Sequence, residues 1–499
     1  DLDRNTRVND GSKNAYFEFD EFGNINVYTA GNGTAANYTY DSTQKVTNAA
    51  ISSASGTQIL DENYTYDAAS NRTSIDNKQD GKTTYEYDAV NQLTKETLPD
   101  GTVKAYTYDG FGNRTQVAIS GSETKTIAAS YNEGNQLVSW NGEALTYDAN
   151  GNRTSDGKYT YTWDTGDRLS SITKKGESKP FTSYTYDDDN RRLSKTVDGV
   201  TTNYHYDGDS IDVLYETDGD GKVVRQYVYS DDNVRLAMKM NGKTLYYHYN
   251  AHGDVIALTD EAGKIVAEYA YDAWGNVLKN TASTEEAKAN PYGYAGYTYD
   301  KEIEQYYLMA RYYEPEQGVF TAYDPDPGDE DDPQTMNGYN YANNNPVMMV
   351  DPDGNWAWLI PAAMTAGKFI YKFRKPIAKY GKKGAKWVGK TAKKGAKWVG
   401  KTAKKGAKWV GKTAKKGAKW ARSRYNSKKK EFTVTKNWKV GLPKKSQGGR
   451  IFAIINRKKG RLLALDYGKV GGNQKRYLHI HWNYEPKHYI IYPRKGRGK

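Results

Sequence analysis

Tyr106-Thr107-Tyr108-Asp109-Gly110-Phe111-Gly112-Asn113-Arg114 reads as a strand running directly into a turn. The alternation Tyr-Thr-Tyr places both rings on one face of an extended segment, and Asp-Gly-Phe-Gly-Asn supplies residues that turns require. The first half returns at Tyr38–Asp41, Tyr64–Asp67, Tyr85–Asp88, Tyr184–Asp187, Tyr204–Asp207 and Tyr269–Asp272. The second half returns at Ala149-Asn150-Gly151-Asn152-Arg153. Several units lie 20 to 23 residues apart, and the seven together hold 14 of the 45 tyrosines. A fixed period of this length marks a stacked architecture in which each unit contacts mainly its neighbours, so each period is about one β-hairpin.

The chain changes sign at residue 354. Residues 1–354 carry 30 Lys+Arg against 57 Asp+Glu, whereas 355–499 carry 42 against 3. The formal charge of +12 therefore describes neither part, and each needs its own reading. With 499 residues and 37% hydrophobic content, the chain is multidomain and too polar to be embedded in a membrane. The absence of cysteine excludes disulfides, thiolate metal sites and a cysteine nucleophile, and suits a secreted Gram-positive protein. Asp1-Leu2-Asp3 carries no basic and apolar leader, so any export signal is expected upstream of it.

Read as Tyr-Asp-x-x-Gly-Asn-Arg, the unit spans roughly residues 15–354. Residues 246–354 add Tyr247-His248-Tyr249-Asn250, His252-Gly253-Asp254, Ala295-Gly296-Tyr297, Ala310-Arg311-Tyr312-Tyr313-Glu314-Pro315, Asp324-Pro325, Asn343-Asn344-Asn345-Pro346 and Asp351-Pro352-Asp353-Gly354. In content and order this resembles the Rhs/YD-repeat polymorphic toxins, in the form of the wall-associated, contact-dependent toxins of Gram-positive bacteria. The resemblance implies a mainly β chain: a shell of spiralling β-hairpins over 1–245 and an Rhs-associated core over 246–354. A basic helical or disordered linker over 355–430 and a small β-rich toxin domain over 431–499 would follow. A rod of repeats used for wall adhesion is the alternative reading of the same tyrosines.

The resemblance also implies an aspartyl autoprotease that cuts after the Asp-Pro-x-Gly sequence, between Gly354 and Asn355. Asp324 and Asp351 match the two carboxylates, and Arg311 matches the supporting cation. Two close carboxylates cannot both ionise cheaply, so one keeps a proton while the other activates water. Asp-Pro is equally a turn dipeptide without catalytic content, and the acidic insert Gly328-Asp329-Glu330-Asp331-Asp332 lengthens the interval between the two. His205, His248 and His252 sit where the repeat usually carries tyrosine neighbours, and stacking explains them better than catalysis or metal binding.

After an apolar stretch, Lys382-Lys383-Gly384-Ala385-Lys386-Trp387-Val388 recurs every 11 residues, making Trp387, Trp398, Trp409 and Trp420 equivalent. Eleven residues nearly complete three helical turns, so a helix here would be basic and amphipathic and suit transient contact with an anionic membrane. Two glycines per repeat weaken that helix, and a partly disordered electrostatic tether is the alternative reading.

Residues 431–499 pair Ile451–Ile455 with Leu462–Leu465, and Tyr477–Trp482 with His488–Tyr492, giving at least four antiparallel strands. Leu478, Ile480 and Trp482 share one face; Tyr477, His479 and His481 share the other. A hairpin pairing Asn483 with His488 adds His488 to the histidine face. One imidazole can take a 2′-hydroxyl proton, another can protonate the leaving oxygen, and Arg450 or Lys475 can offset the phosphorane charge. This reading is a metal-independent ribonuclease without a cofactor, and Asp466 completes the candidate set. Metal ligation by the His-x-His pair with His488 or Asp466, and ordinary surface histidines, are the competing readings. Tails of the resembling family are often tRNA nucleases, which implies tRNA or other RNA as substrate. The basic surface predicts an acidic immunity protein as partner. The implied location is the cell wall of the producer, with delivery of the toxin to the target cytoplasm. A membrane-disrupting toxin using 356–420 and an adhesin without activity remain rival classes.

Overall fold

The computed structural model describes residues 6–9, 13–208, 210–230, 233–324, 333–355 and 358–359. Beyond these it describes 425–426, 431–433, 438–441, 450–456, 460–469, 476–482 and 489–490. The chain divides into two compact units, 1–375 and 376–499. In the first unit, two antiparallel sheets of fourteen strands follow sequence order. One runs from Arg7–Asn9 to Glu143–Ala144, the other from Thr146–Tyr147 to Val277–Asn280. One buried cluster joins Phe17, Tyr38 and Tyr64 of the first sheet to Tyr227, Leu258 and Ala267 of the second.

Each residue of the repeat has a separate task. Tyr106 is buried, Thr107 is exposed and Tyr108 is half-buried, and the strand pairing shifts by a bulge between Thr107 and Tyr108. The same shift falls at Thr65/Tyr66, Glu86/Tyr87 and Thr185/Tyr186. A bulge bends a strand and re-aims the residue beside it. The second tyrosine thereby reaches backward: Tyr66, Tyr87, Tyr108 and Tyr186 donate to the carbonyls of Val46, Arg72, Leu93 and Leu169 at 2.6–2.8 Å. The aspartate closes the turn, with Asp109 Oδ1 accepting from Phe111 N and Asn113 N. Gly112 supplies the left-handed conformation at φ +76°. The asparagine then links forward, Asn71 to Asn91 and Asn113 to Asn135, both at 2.9 Å.

The arginine of the unit turns inward. Arg72, Arg114, Arg153, Arg192 and Arg235 are all at most 4% exposed. Burying a cation is costly unless it is compensated. Aromatic rings provide much of that compensation, with Arg114 4.3 Å from the Trp274 ring centroid and Arg192 4.3 Å from that of Tyr307. Arg192 also forks onto Asp300, at 2.5 and 3.1 Å.

The core segment adds a small sheet of Thr298–Asp300, Gln305–Tyr307, Tyr312–Glu314 and Val319–Phe320. It docks on the turn ladder: Asn345 donates to Asn71 Oδ1 and Asn344 to Gln92 Oε1, both at 2.9 Å. The three histidines are packing residues. His205 stacks on Tyr215 at 4.3 Å and 10°, His248 bonds Thr259 Oγ1, and His252 pairs with Asp254 at 2.7 Å. No group of three metal-ligating residues occurs among the described residues.

Burial raises several carboxyls. Glu96 is pushed up by desolvation and by Asp272, and Glu314 is pushed up to about 7 by burial, opposed by Arg153. A carboxyl whose folded-state pKa exceeds its unfolded value holds its proton more tightly when folded. Its stabilising contribution is complete below the unfolded value and is lost as pH rises through about 7. The thermal midpoint is therefore expected to fall between pH 5 and pH 8, and Glu314→Gln should flatten that decline in a denaturation series.

The second unit contains one antiparallel sheet of seven strands in sequence order, from Tyr425–Asn426 to Tyr489–Ile490. The sheet thus begins before residue 431. Most of the lysine- and tryptophan-rich stretch lies outside the described residues. Trp358–Leu359 pairs with Met349–Val350. Among the described residues no helix is long and apolar enough to cross a membrane.

Candidate functional site

Arg311 follows the tight turn of Leu308 to Ala310, and the chain returns beside it at Asp351–Gly354. The guanidinium is 3% exposed and packs over the Phe320 ring at 3.7 Å. Nη2 lies 2.6 Å from Asp324 Oδ2 and 3.3 Å from Asp351 Oδ2. Nη1 donates to Gly338 O at 3.1 Å, and Nε donates to the carbonyl oxygen of Gly354. The three residues singled out in the sequence thus meet at one cation, and that cation also grips the peptide between Gly354 and Asn355.

Asp351 holds the other side of this peptide. Its Oδ1 accepts from Gly354 N at 2.9 Å and from Asn355 N at 3.0 Å. Gly354 has φ +76°, and a Cβ there would stand 2.6 Å from Leu308 O, so only glycine fits. The carboxylates differ in access: the Asp351 side chain is 2% exposed, that of Asp324 13%. Burial pulls Arg311 below its ordinary value while Asp351, Asp324 and Asp353 oppose this, and an arginine stays cationic under such conditions. The insert 328–332 lies outside the described residues.

Residues that sequence reasoning passed over complete the centre. Tyr297 OH accepts from Asp351 N at 2.8 Å and bonds Tyr341 OH at 3.0 Å. Burial pushes both phenols up, so each keeps its hydroxyl proton. Tyr297 lay in a motif already noted, but nothing in the sequence marks the Gly338 carbonyl. A backbone acceptor has no residue signature.

In the C-terminal sheet, backbone register aligns three candidates. Asp466 pairs with Arg450 on one side and His479 on the other, and His479 pairs in turn with Ile490. His481 pairs with Ala464 and Tyr477 with Gly468. The alternate positions pair Leu478 with Tyr467, Ile480 with Leu465 and Trp482 with Leu463, which concentrates apolar residues on the opposite face. The last hairpin is shifted by two residues from a pairing of Asn483 with His488, since His479 meets Ile490. A shift of two conserves which face each residue occupies. Lys475 and His488 lie outside the described residues.

Comparison with known proteins agrees with this architecture. A profile of the Teneurin YD-shell family matches residues 21–347. The chain is 48% identical over 388 residues to the tRNA nuclease WapA of Bacillus subtilis (strain 168). It is 51% identical over 387 residues to the tRNA3(Ser)-specific nuclease WapA of Bacillus spizizenii. Each alignment covers 77% of this chain, which spans about 16% of the length of these relatives. The crystal structure of TcdB2-TccC3-Cdc42 matches with a TM-score of 0.59 and 21% identity, over 70% of this chain and 20% of that chain. That likeness concerns the fold alone.

Proposed function

Because the chain belongs to the Teneurin YD-shell family, we propose that its repeat scaffold carries a C-terminal nuclease toxin and releases it by cutting its own backbone after Gly354. The observation that carries the release step is the grip on one peptide from both ends, Arg311 Nε on the Gly354 carbonyl and Asp351 Oδ1 on the Asn355 N–H. Asp324, the more accessible carboxylate, takes a proton from a water that adds to the Gly354 carbonyl carbon. Arg311 stabilises the resulting oxyanion. Asp351, entering as the protonated partner, gives its proton to the Asn355 nitrogen as the C–N bond breaks. The products are a new carboxyl at Gly354 and a new amine at Asn355, and the tail stays held only by non-covalent contacts.

The released tail is proposed to be a ribonuclease acting on tRNA of a neighbouring bacterium, without a metal. The names of the relatives support the substrate class, and the row Arg450–Asp466–His479, with His481 two residues on, supports acid-base chemistry at a cation. The scaffold acts at the producer's cell surface, and an acidic immunity protein covers the basic tail in the producer. Expression in bacteria of a segment beginning at Ala421 keeps the Tyr425–Asn426 strand and omits the lysine-tryptophan repeats. Growth arrest with fragmented tRNA and intact membranes is the expected result. Arrest that requires 356–420 would make the linker the toxin, and unaffected growth would favour an adhesin.

A further inference from the structure

The carbonyl oxygen of Gly338 accepts from Arg311 Nη1 at 3.1 Å and from the Asp324 N–H at 3.0 Å. One backbone acceptor therefore places both the cation and the carboxylate that activates water. The peptide has little room to move, since a Cβ on Gly338 would stand 2.6 Å from the Tyr323 ring. The preceding residue, Asn337, is 6% exposed and faces the repeat scaffold. Its Nδ2 donates to Asn113 Oδ1 at 2.7 Å and to Phe111 O at 3.1 Å, while its Oδ1 accepts from Tyr339 N at 3.1 Å. Asn113 is the asparagine of a repeat turn, 224 residues upstream. Its own Nδ2 donates to Asp109 and Asn135, both at 2.9 Å, so it sits on a rung braced from both sides.

We propose that Asn337 is a positioning residue of the cleavage centre, transmitting the fixed geometry of the Asn113 turn to the Gly338 carbonyl, so that cutting after Gly354 depends on that turn being formed. The inference rests on the cleavage reading above. Asn337 contacts neither the scissile peptide nor either carboxylate in the described hydrogen bonds; its influence is on where Gly338 O stands. Asn344 separately anchors the segment through Gly112 O at 2.6 Å and Gln92 Oε1 at 2.9 Å, so losing the Asn337 contact displaces the centre without releasing the segment. A chain in which the turn carrying Asn113 has not formed would keep its toxin covalently attached.

The test is the rate of cutting as the full chain refolds by dilution from denaturant, followed on denaturing gels across pH. Asn337→Asp keeps the acceptor for Tyr339 N but sets a carboxylate against two oxygens. It should slow cutting by about 10²-fold at neutral pH, the scale of a small misplacement of reacting groups. The deficit relative to wild type should shrink in acid, where the introduced carboxyl regains a proton and can donate again. Asn24→Asp places the same change in a turn where Asn24 bonds Asp20 and Gln44, and should cut at the wild-type rate. Asn337→Ser, uncharged and shorter, should slow cutting to a lesser extent. Equal slowing by Asn24→Asp, a deficit indifferent to pH, or wild-type cutting by Asn337→Ser even where Asn337→Asp fails to fold would each overturn the proposal. A wild-type chain that never cuts would remove the cleavage reading itself, and this inference with it.

Discussion

With Asp324 replaced by asparagine, the full chain is expected to run as a single band on a denaturing gel, where the wild type gives two fragments. The amide can still face Arg311 Nη2, 2.6 Å from the present Oδ2, but cannot take a proton from water. Loss of a general base costs about 10²–10⁴-fold, enough to leave the chain intact over the time of purification. Asp351→Asn should give the same intact chain for a different reason. Its amide oxygen can still accept from Gly354 N and Asn355 N and preserve the turn, while the proton for the leaving nitrogen is lost. In the wild type, the smaller fragment should begin at Asn355 on N-terminal sequencing. Cutting at the usual rate in Asp324→Asn would remove that residue from the mechanism. A fragment starting elsewhere would remove the Gly354–Asn355 peptide.

The second large effect is expected in the tail. His479→Ala or His481→Ala should lower RNA cleavage by about 10²-fold or more while RNA binding changes little, because proton transfer acts in the transition state and basic residues supply most of the binding. EDTA should have little effect. Activity lost to EDTA and restored by a divalent cation would make the histidines ligands. Asp466→Asn should impair cleavage less than either histidine change if Asp466 orients His479, the residue opposite it in register. Full activity in both alanine variants would return the histidines to an ordinary polar face.

Much of the scaffold was legible because its repeat is a local code. Tyr-x-Tyr-Asp-x-x-Gly-Asn-Arg encodes a strand, a turn and a period, and all three follow from residues within one unit. Two features escaped that reading. The bulge before each second tyrosine depends on pairing with the next strand, and the inward arginine depends on rings that other strands supply, as Tyr307 does for Arg192. The ring partner lies far outside the unit that needs it, whereas the bulge closes across a single hairpin, with Tyr108 pairing with Arg114, and no residue type marks it.

The proposed cleavage centre divides along the same line. The sequence by itself determined the hairpin period, the change of charge at Gly354, and the identity of Arg311, Asp324 and Asp351, since local turn chemistry and motif order carry that information. Only the tertiary structure decided that these three share one guanidinium, that the guanidinium holds the Gly354 carbonyl, and that Gly338 and Asn337 tie the centre to a turn 224 residues upstream. The physical reason is that a backbone carbonyl carries no residue signature, and a hydrogen bond of 2.7 Å is specified by where two distant segments are packed, not by either segment alone.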